Sequence, residues 1–375
     1  MKTVIFYVLI LFFLARVPVK TQPSNTYLFI GSYTEGDVGE GIYVYRFDTL
    51  TGDLSKVYQA DNLINPSFLT ISSDGRYLYA CTETKLDRNG SVSAFSINKK
   101  TGALSFINKQ DAGGRNPVQL ISDKKNRVLI NSNYTDAGIS IFPLRKNGGI
   151  KAYTQLLPFK GQSIISGRQE EAHIHSAVLS PDEKYLFAPD LGADRIRVLS
   201  LNKGHLEPLT ALEISCTPGA GPRHFCFHPN GLFAYCVEEL SGTVSSYSYH
   251  NGQLKLIDRD FSYSKIQETY GAADIHISPD GRFLYASNRW SEENTITIFA
   301  IDRISGTLSL LGHQTTFGDH PRSFVIDPSG NFLIVANQAT GLIVVFRRDK
   351  ITGLLKKTNT EIQVSLPSSL KMYSY

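Results

Sequence analysis

The stretch "ISSDGRYLYACTE" at residues 71–83 returns almost unchanged as "ISPDGRFLYASNR" at residues 277–289. In both, a strand-ending apolar residue leads into an Asp-Gly turn and then into an aromatic-rich apolar run. Two strands joined by such a turn read as a hairpin. Further copies are "LSPDEKYLFAPDL" at 179–191, "FHPNGLFAYCVEE" at 227–239 and "IDPSGNFLIVANQ" at 326–338. Weaker ones are "TYLFIGSY" at 26–33 and "ISDKKNRVLINSN" at 121–133. Aligned on one apolar position, the series runs Leu28, Leu78, Val128, Leu186, Ala234, Leu284 and Leu333, in steps of 48 to 58 residues.

A second pattern follows each copy: an alternating strand, a turn and a further strand, as in "GIYVYRFDTLTGDLSKV" at 41–57 and "NTITIFAIDRISGTLSLL" at 294–311. Four strands per unit at this period are the mark of a β-propeller blade, so seven copies predict an all-β, seven-bladed propeller with four antiparallel strands per blade. The first copy lacks its inner strand. The tail "LPSSLKMYSY" at 366–375 resembles the inner-strand openings "NPSFLTIS" at 65–72 and "HPRSFVID" at 320–327. The C-terminal segment is therefore expected to complete the first blade and close the ring, leaving no exposed sheet edge there.

Composition agrees with many short strands and tight turns, since 11% of residues are aromatic, 19% are charged and 30 are Gly. The N-terminus carries Lys2, an apolar run from Val4 to Leu14, then Arg16, Pro18 and Lys20. This reads as a secretory signal peptide over residues 1–21, ahead of a single propeller domain at 22–375. The run is shorter than the ~20 residues of a membrane-spanning helix. Export to the periplasm or the extracellular space is expected, with no stable membrane insertion after cleavage, and an uncleaved anchor is the alternative. Losing the leader lowers the formal net charge from +4 to +1, and no basic block is present, which argues against nucleic-acid binding.

Cys81, Cys216, Cys226 and Cys236 lack metal-ligand spacing. If the 226–236 segment is a simple hairpin, Cys226 stands opposite Phe233 and faces away from Cys236, so the thiols are expected to be reduced and buried. No nucleophile elbow, metalloprotease motif or nucleotide loop is present. Neither a cofactor nor a metal is expected.

In a propeller the first strand of each blade lines the central channel. The start of that strand and the end of the second meet on one face of the disc. Ten and eleven residues before the aligned position stand Ser67 and Phe68, His175 and Ser176, Arg223 and His224, Ala273 and Asp274, and Arg322 and Ser323. Five residues after it stand Tyr33, Glu83, Asn133, Leu191, Glu239, Arg289 and Gln338. Both sets are expected in one pocket, rich in arginine, histidine and carboxylate, with His276 deeper in the channel. Arginine's planar fork suits a carboxylate, a phosphate or a developing oxyanion. Histidine and glutamate together suit proton transfer near neutral pH.

The segments "GAGPRHFCFHPNGLFAYCVEEL", "AADIHISPDGRFLYASNR", "HPRSFVIDPSGNFLIVANQ" and "YLFIGSYTEG" resemble the seven-bladed propeller lactonases, from about Thr26 to the C-terminus. This family includes bacterial 6-phosphogluconolactonase and fungal carboxy-cis,cis-muconate cyclase. The resemblance implies hydrolysis, or the reverse closure, of a small lactone bearing an anionic group. It also implies catalytic roles for His175, Arg223, Glu239 and Arg289. "EEAHIHSA" offers His173 as well, but the family's histidine precedes Ser-Ala, which selects His175. His224, Asp274, His276, Arg322, Glu83 and Asn133 are the expected substrate-binding residues. The leading expectation is a lactonase hydrolysing a small sugar lactone. The alternatives are an exported, non-catalytic propeller binding sugar acids or a protein partner, and a muconate-type cycloisomerase.

Overall fold

The strand runs marked by the repeat form seven separate sheets, each a blade, in a computed structural model that describes residues 25–34, 39–290 and 292–375. The expected signal peptide lies outside the described residues. The fifth blade shows the pattern in full: Pro222–Phe227, Phe233–Glu238, Thr243–His250 and Gln253–Phe261 pair in chain order, each antiparallel to the last. The first blade is ordered Pro367–Ser374, Thr26–Ser32, Gly39–Phe47, Leu54–Leu63. The C-terminal strand therefore supplies its inner position, as the sequence led one to expect.

The core explains why the second strands are buried along their length, with Tyr185 at the start of one of them only partly so. Among the described residues the core side chains form seven apolar clusters, and each cluster spans two neighbouring blades. Leu28, Ile30 and Leu370 of the first blade pack with Phe332 and Ile334 of the seventh. Tyr27 and Phe29, on the other face of the same strand, pack with Leu69 and Leu78 of the second. A sheet between two others must be apolar on both faces, and the strand alternation directs successive side chains into successive seams.

The turn after each third strand locks the seam. Gly52, Gly102, Gly252, Gly306 and Gly353 all have positive φ, and a Cβ at any of them would strike the ring of Phe332, Tyr27, Tyr185, Phe233 or Phe283 at 2.8 Å or less. Glycine is required twice over, for the backbone and for the close approach. Those aromatic residues stand at the first or, for Tyr27, the second position of the second strand of the adjoining blade. In the third blade the residue meeting the equivalent Gly204 is Val128.

That contact corrects the alignment of the third repeat. Val128 occupies the place of Tyr27, Phe233 or Phe332, so the residue equivalent to Leu78 and Leu333 is Leu129. Pairing agrees: Leu129 faces Phe142 as Leu78 faces Phe95 and Leu333 faces Phe346. Matching apolar Ile121 to Ile71 misplaced the register, since Ser122 holds that place and pairs with Leu129.

The cysteines are all free thiols, and none is exposed. Cys226 pairs with Tyr235 rather than Phe233, because the hairpin turn, residues 229–232, is two residues longer than the simple pairing assumed. Cys236 pairs with Phe225, so the two thiols still project from opposite faces.

Candidate active site

The channel mouth opens into a cavity of about 810 Å³. Among the described residues its charged lining comprises Lys85, Arg168, Arg223, Arg289, Arg322 and one carboxylate, Glu239, with His175 and His320 beside them. His175, Arg223 and Arg322 all stand eleven residues before the aligned position, as does Val118 once the third repeat is corrected. Tyr33, Glu239, Arg289 and Gln338 come from five residues after it. The strand geometry thus gathers the expected catalytic set, His175, Arg223, Glu239 and Arg289, on one wall.

Glu239 is the hub of that wall. Its Oε1 accepts from Arg168 Nη2 at 2.6 Å, and its Oε2 accepts from Arg223 Nε at 2.7 Å. Arg289 Nη2 lies 3.1 Å from the same Oε2 in ion-pair contact. Arg289 also donates from Nε to the Gly271 carbonyl at 2.7 Å, and Arg223 from Nη1 to the Ala273 carbonyl at 2.5 Å. Burial works against the charge of Glu239, but Arg289, Arg223 and Arg168 hold its carboxyl far below the usual range. Burial, reinforced by Arg289, pushes the Arg223 guanidinium down to about 9, which leaves it charged at neutral pH.

Both cavity histidines are held neutral. Burial, then Arg223, His224 and Arg322, push His175 well below its ordinary value. Its Nδ1 is buried with no hydrogen-bond partner among the described residues. His320 accepts from Arg289 Nη1 at Nε2, 3.2 Å away, and burial with Arg289 brings it to about 3. Tyr134 lies edge-on to His175 and stacks flat on His173, whose Nδ1 meets the Tyr134 carbonyl at 3.1 Å. His173 is thus the support and His175 the cavity residue.

Five of the expected substrate-binding residues lie elsewhere. His224 and Asp274, ten residues before the aligned position, alternate away from the cavity and form the layer beneath it. Arg223 Nη1 donates to His224 Nε2 at 3.2 Å, so the His224 proton sits on Nδ1 and goes to Asp274 at 2.8 Å. Asp274 also receives His276 Nε2 at 3.2 Å and Ser323 Oγ at 3.1 Å. Burial, then Arg223, brings His224 to about 4, while His276 and His224 hold Asp274 well below the carboxylate range against the effect of burial. This layer props Arg223 from below.

Glu83 has a left-handed backbone, φ 56°, and turns outward to Ser91 and Lys109. Lys85 takes its place at the cavity. Asn133 is fully buried and donates to the Ala112 carbonyl and Ser140. The register correction accounts for it: a slip of one residue moves every side chain to the other face, and Tyr134 holds the cavity position.

Other lining residues were missed. Arg168 belongs to the insertion that widens one repeat step, and it is presented by a turn pinned through Gln169 Nε2 to the Leu191 carbonyl at 2.8 Å. His320, Asn65, Asn116 and Leu366 each precede a proline that opens an inner strand or, at Pro66, stands two residues before one, and each has positive φ. Left-handed backbone at non-glycine residues is uncommon and concentrates at functional sites. The recurring Xaa-Pro at this spacing was the available signal.

The pattern of the family described as "Lactonase, 7-bladed beta-propeller" matches residues 27–372. The chain belongs to this lactonase family. It is 46% identical to a protein of Formosa agariphila named 6-phosphogluconolactonase, over 93% of this chain and 99% of that one. It is 34% identical to the 6-phosphogluconolactonase of Bacillus subtilis, over 92% of this chain and 97% of that one. Among solved structures, the periplasmic gluconolactonase of Pseudomonas aeruginosa superposes with a TM-score of 0.86 at 34% identity, covering 92% of this chain and 99% of that one. In this lactonase the cavity wall built on Glu239 is therefore the candidate catalytic site.

Proposed function

We propose that the chain hydrolyses a small sugar lactone of the 6-phosphogluconolactone type in this cavity. The observation that carries the reading is the buried fork of Arg223 and Arg289, both fixed by Glu239, facing the same cavity as the neutral His175. Ring opening needs a water oxygen to attack the carbonyl carbon, the carbonyl oxygen to carry negative charge, and the ring oxygen to leave with a proton. The products are a carboxylate and a hydroxyl on one chain.

Arg223 and Arg289 are held rigidly, so their N–H groups stabilise the oxyanion without reorganising. His175 is uncharged at neutral pH and is free to take the proton of the attacking water and return it to the ring oxygen. Glu239 gives up its basicity to three arginines. Its role is to fix the fork, not to carry protons, which narrows the His/Glu pair suggested by sequence to His175 alone. The cavity falls within the size range of small-molecule sites.

Export belongs to the same proposal. It is supported by the signal-like leader at residues 1–21 and by the likeness to a periplasmic gluconolactonase. N-terminal sequencing of the protein recovered from fractionated cells tests it.

The enzymatic test is turnover of gluconolactone and 6-phosphogluconolactone by purified protein against the spontaneous rate. Arg223→Ala is expected to abolish the enzymatic part while the circular dichroism spectrum is retained. Turnover persisting in that variant overturns the assignment.

A further inference from the structure

The cations of the cavity are not equally compensated. Arg168, Arg223 and Arg289, from the fourth, fifth and sixth blades, share Glu239. Across the ring, the seventh, first and second blades contribute Arg322, Tyr33 and Lys85. Lys85 Nζ stands 4.0 Å from the centre of the Tyr33 ring, and the Arg322 guanidinium stands 5.7 Å from it. Among the described residues neither makes an ion pair or a hydrogen bond to a side chain. The Tyr33 ring is buried and holds both cations by their attraction to its π face.

We infer that Lys85, Arg322 and Tyr33 form an anion subsite for a phosphate monoester on the substrate. This makes the enzyme selective for phosphorylated over unphosphorylated lactones. The inference rests on the lactonase reading and extends it to the far arc of the same cavity. A dianion placed on the Glu239 arc would meet a carboxylate and arginines already engaged. On the Tyr33 arc it meets two cations that no carboxylate pairs with among the described residues, one of them a planar fork suited to phosphate. The arrangement separates the tasks: the fourth to sixth blades hold the reacting carbonyl, and the seventh, first and second hold the charged tail.

The test is the ratio of kcat/KM for 6-phosphogluconolactone to that for gluconolactone, in the wild type, Arg322→Gln, Lys85→Gln and the double variant. A charge-assisted contact of this kind is expected to be worth about tenfold or more in that ratio for Arg322→Gln, with a further fall in the double variant. An unchanged ratio overturns the subsite. Should Arg322→Gln fail to fold, Lys85→Gln at the exposed rim carries the same test. If the wild type hydrolyses neither lactone, the lactonase reading fails, and binding decides the subsite separately. The chain has a single tryptophan, Trp290, and it lines the cavity, so its fluorescence reports binding of 6-phosphogluconate and of gluconate. Tighter binding of the phosphorylated acid that is lost in Arg322→Gln supports the subsite, and equal affinities overturn it.

Discussion

Arg223 Nε donates to Glu239 Oε2 at 2.7 Å, and both side chains are almost wholly out of water. Removing one partner of a buried pair leaves the other charge uncompensated, at a typical cost of about 3–5 kcal/mol. Glu239→Gln strands parts of three guanidinium groups at once. It is expected to lower the thermal unfolding temperature markedly and to lose activity with it. Lost activity with an unchanged unfolding temperature would make Glu239 a proton carrier after all.

The pH dependence of turnover separates the roles of the two groups. An ordinary histidine acting as base loses half its activity near pH 6.5. His175 is held neutral by burial and by neighbouring Arg223, so its working form persists well below that value. After subtraction of the spontaneous reaction, kcat/KM is expected to stay flat from about pH 8 down to about pH 5.5. A midpoint near 6.5 would show that His175 is exposed to water in the working enzyme or is not the base.

The fold was legible because a blade is a local object: hairpin, alternation and glycine turn all lie within one repeat. The site was legible wherever the copies aligned cleanly, which brought out His175, Arg223, Glu239, Arg289 and Arg322. It failed where an aligned position could not report side-chain direction. His224 and Asp274 differ from Arg223 only by one step of strand alternation, and that step moves them beneath the cavity. Arg168 sits in an insertion with no counterpart in the other repeats, so no alignment of copies could place it.

The misread third repeat yields its own test. Asn133, buried against the Ala112 carbonyl and Ser140, is a structural residue, whereas Tyr134 lines the cavity against His175. Asn133→Ala leaves the buried Asn131 Nδ2 without the oxygen that accepts from it at 2.8 Å, and is expected to cost about 1–3 kcal/mol of stability while kcat/KM of the folded enzyme holds. Tyr134→Ala is expected to lower kcat/KM. Assays of both variants alongside melting curves check the register, and the reverse outcome would restore Asn133 to the site.

Acid should unfold the domain through its buried histidines. His175, His224 and His320 all have pKa values below that of an unfolded histidine, the last two at about 4 and about 3. The unfolded chain then binds more protons than the native one below about pH 6.5, so stability falls as pH drops. The loss is about 1.4 kcal/mol per pH unit for each such histidine until its folded pKa is reached. Urea midpoints measured at pH 7 and pH 5 are expected to show the decline, and His320→Gln should reduce it. Equal midpoints would mean that the histidines are hydrated in the native state.

Ring closure rests on the last strand. Residues of Pro367–Ser374 pair with Thr26–Ser32 along its length, and Leu370 packs with Phe332 and Ile334 of the seventh blade. Tyr375 donates to the Gly75 carbonyl at 2.6 Å and lies against the Tyr27 ring, reaching the second blade. One strand thus joins three blades. Leu370→Ala creates a cavity in a seam that cannot collapse without shifting a whole sheet, and is expected to cost about 2–5 kcal/mol. Deletion of residues 366–375 removes the inner strand and exposes the edge of Thr26–Ser32, and is expected to abolish cooperative unfolding of the entire domain. Loss confined to the first blade, with the melting transition of the remainder preserved, would show that the blades are stable without the closed circle.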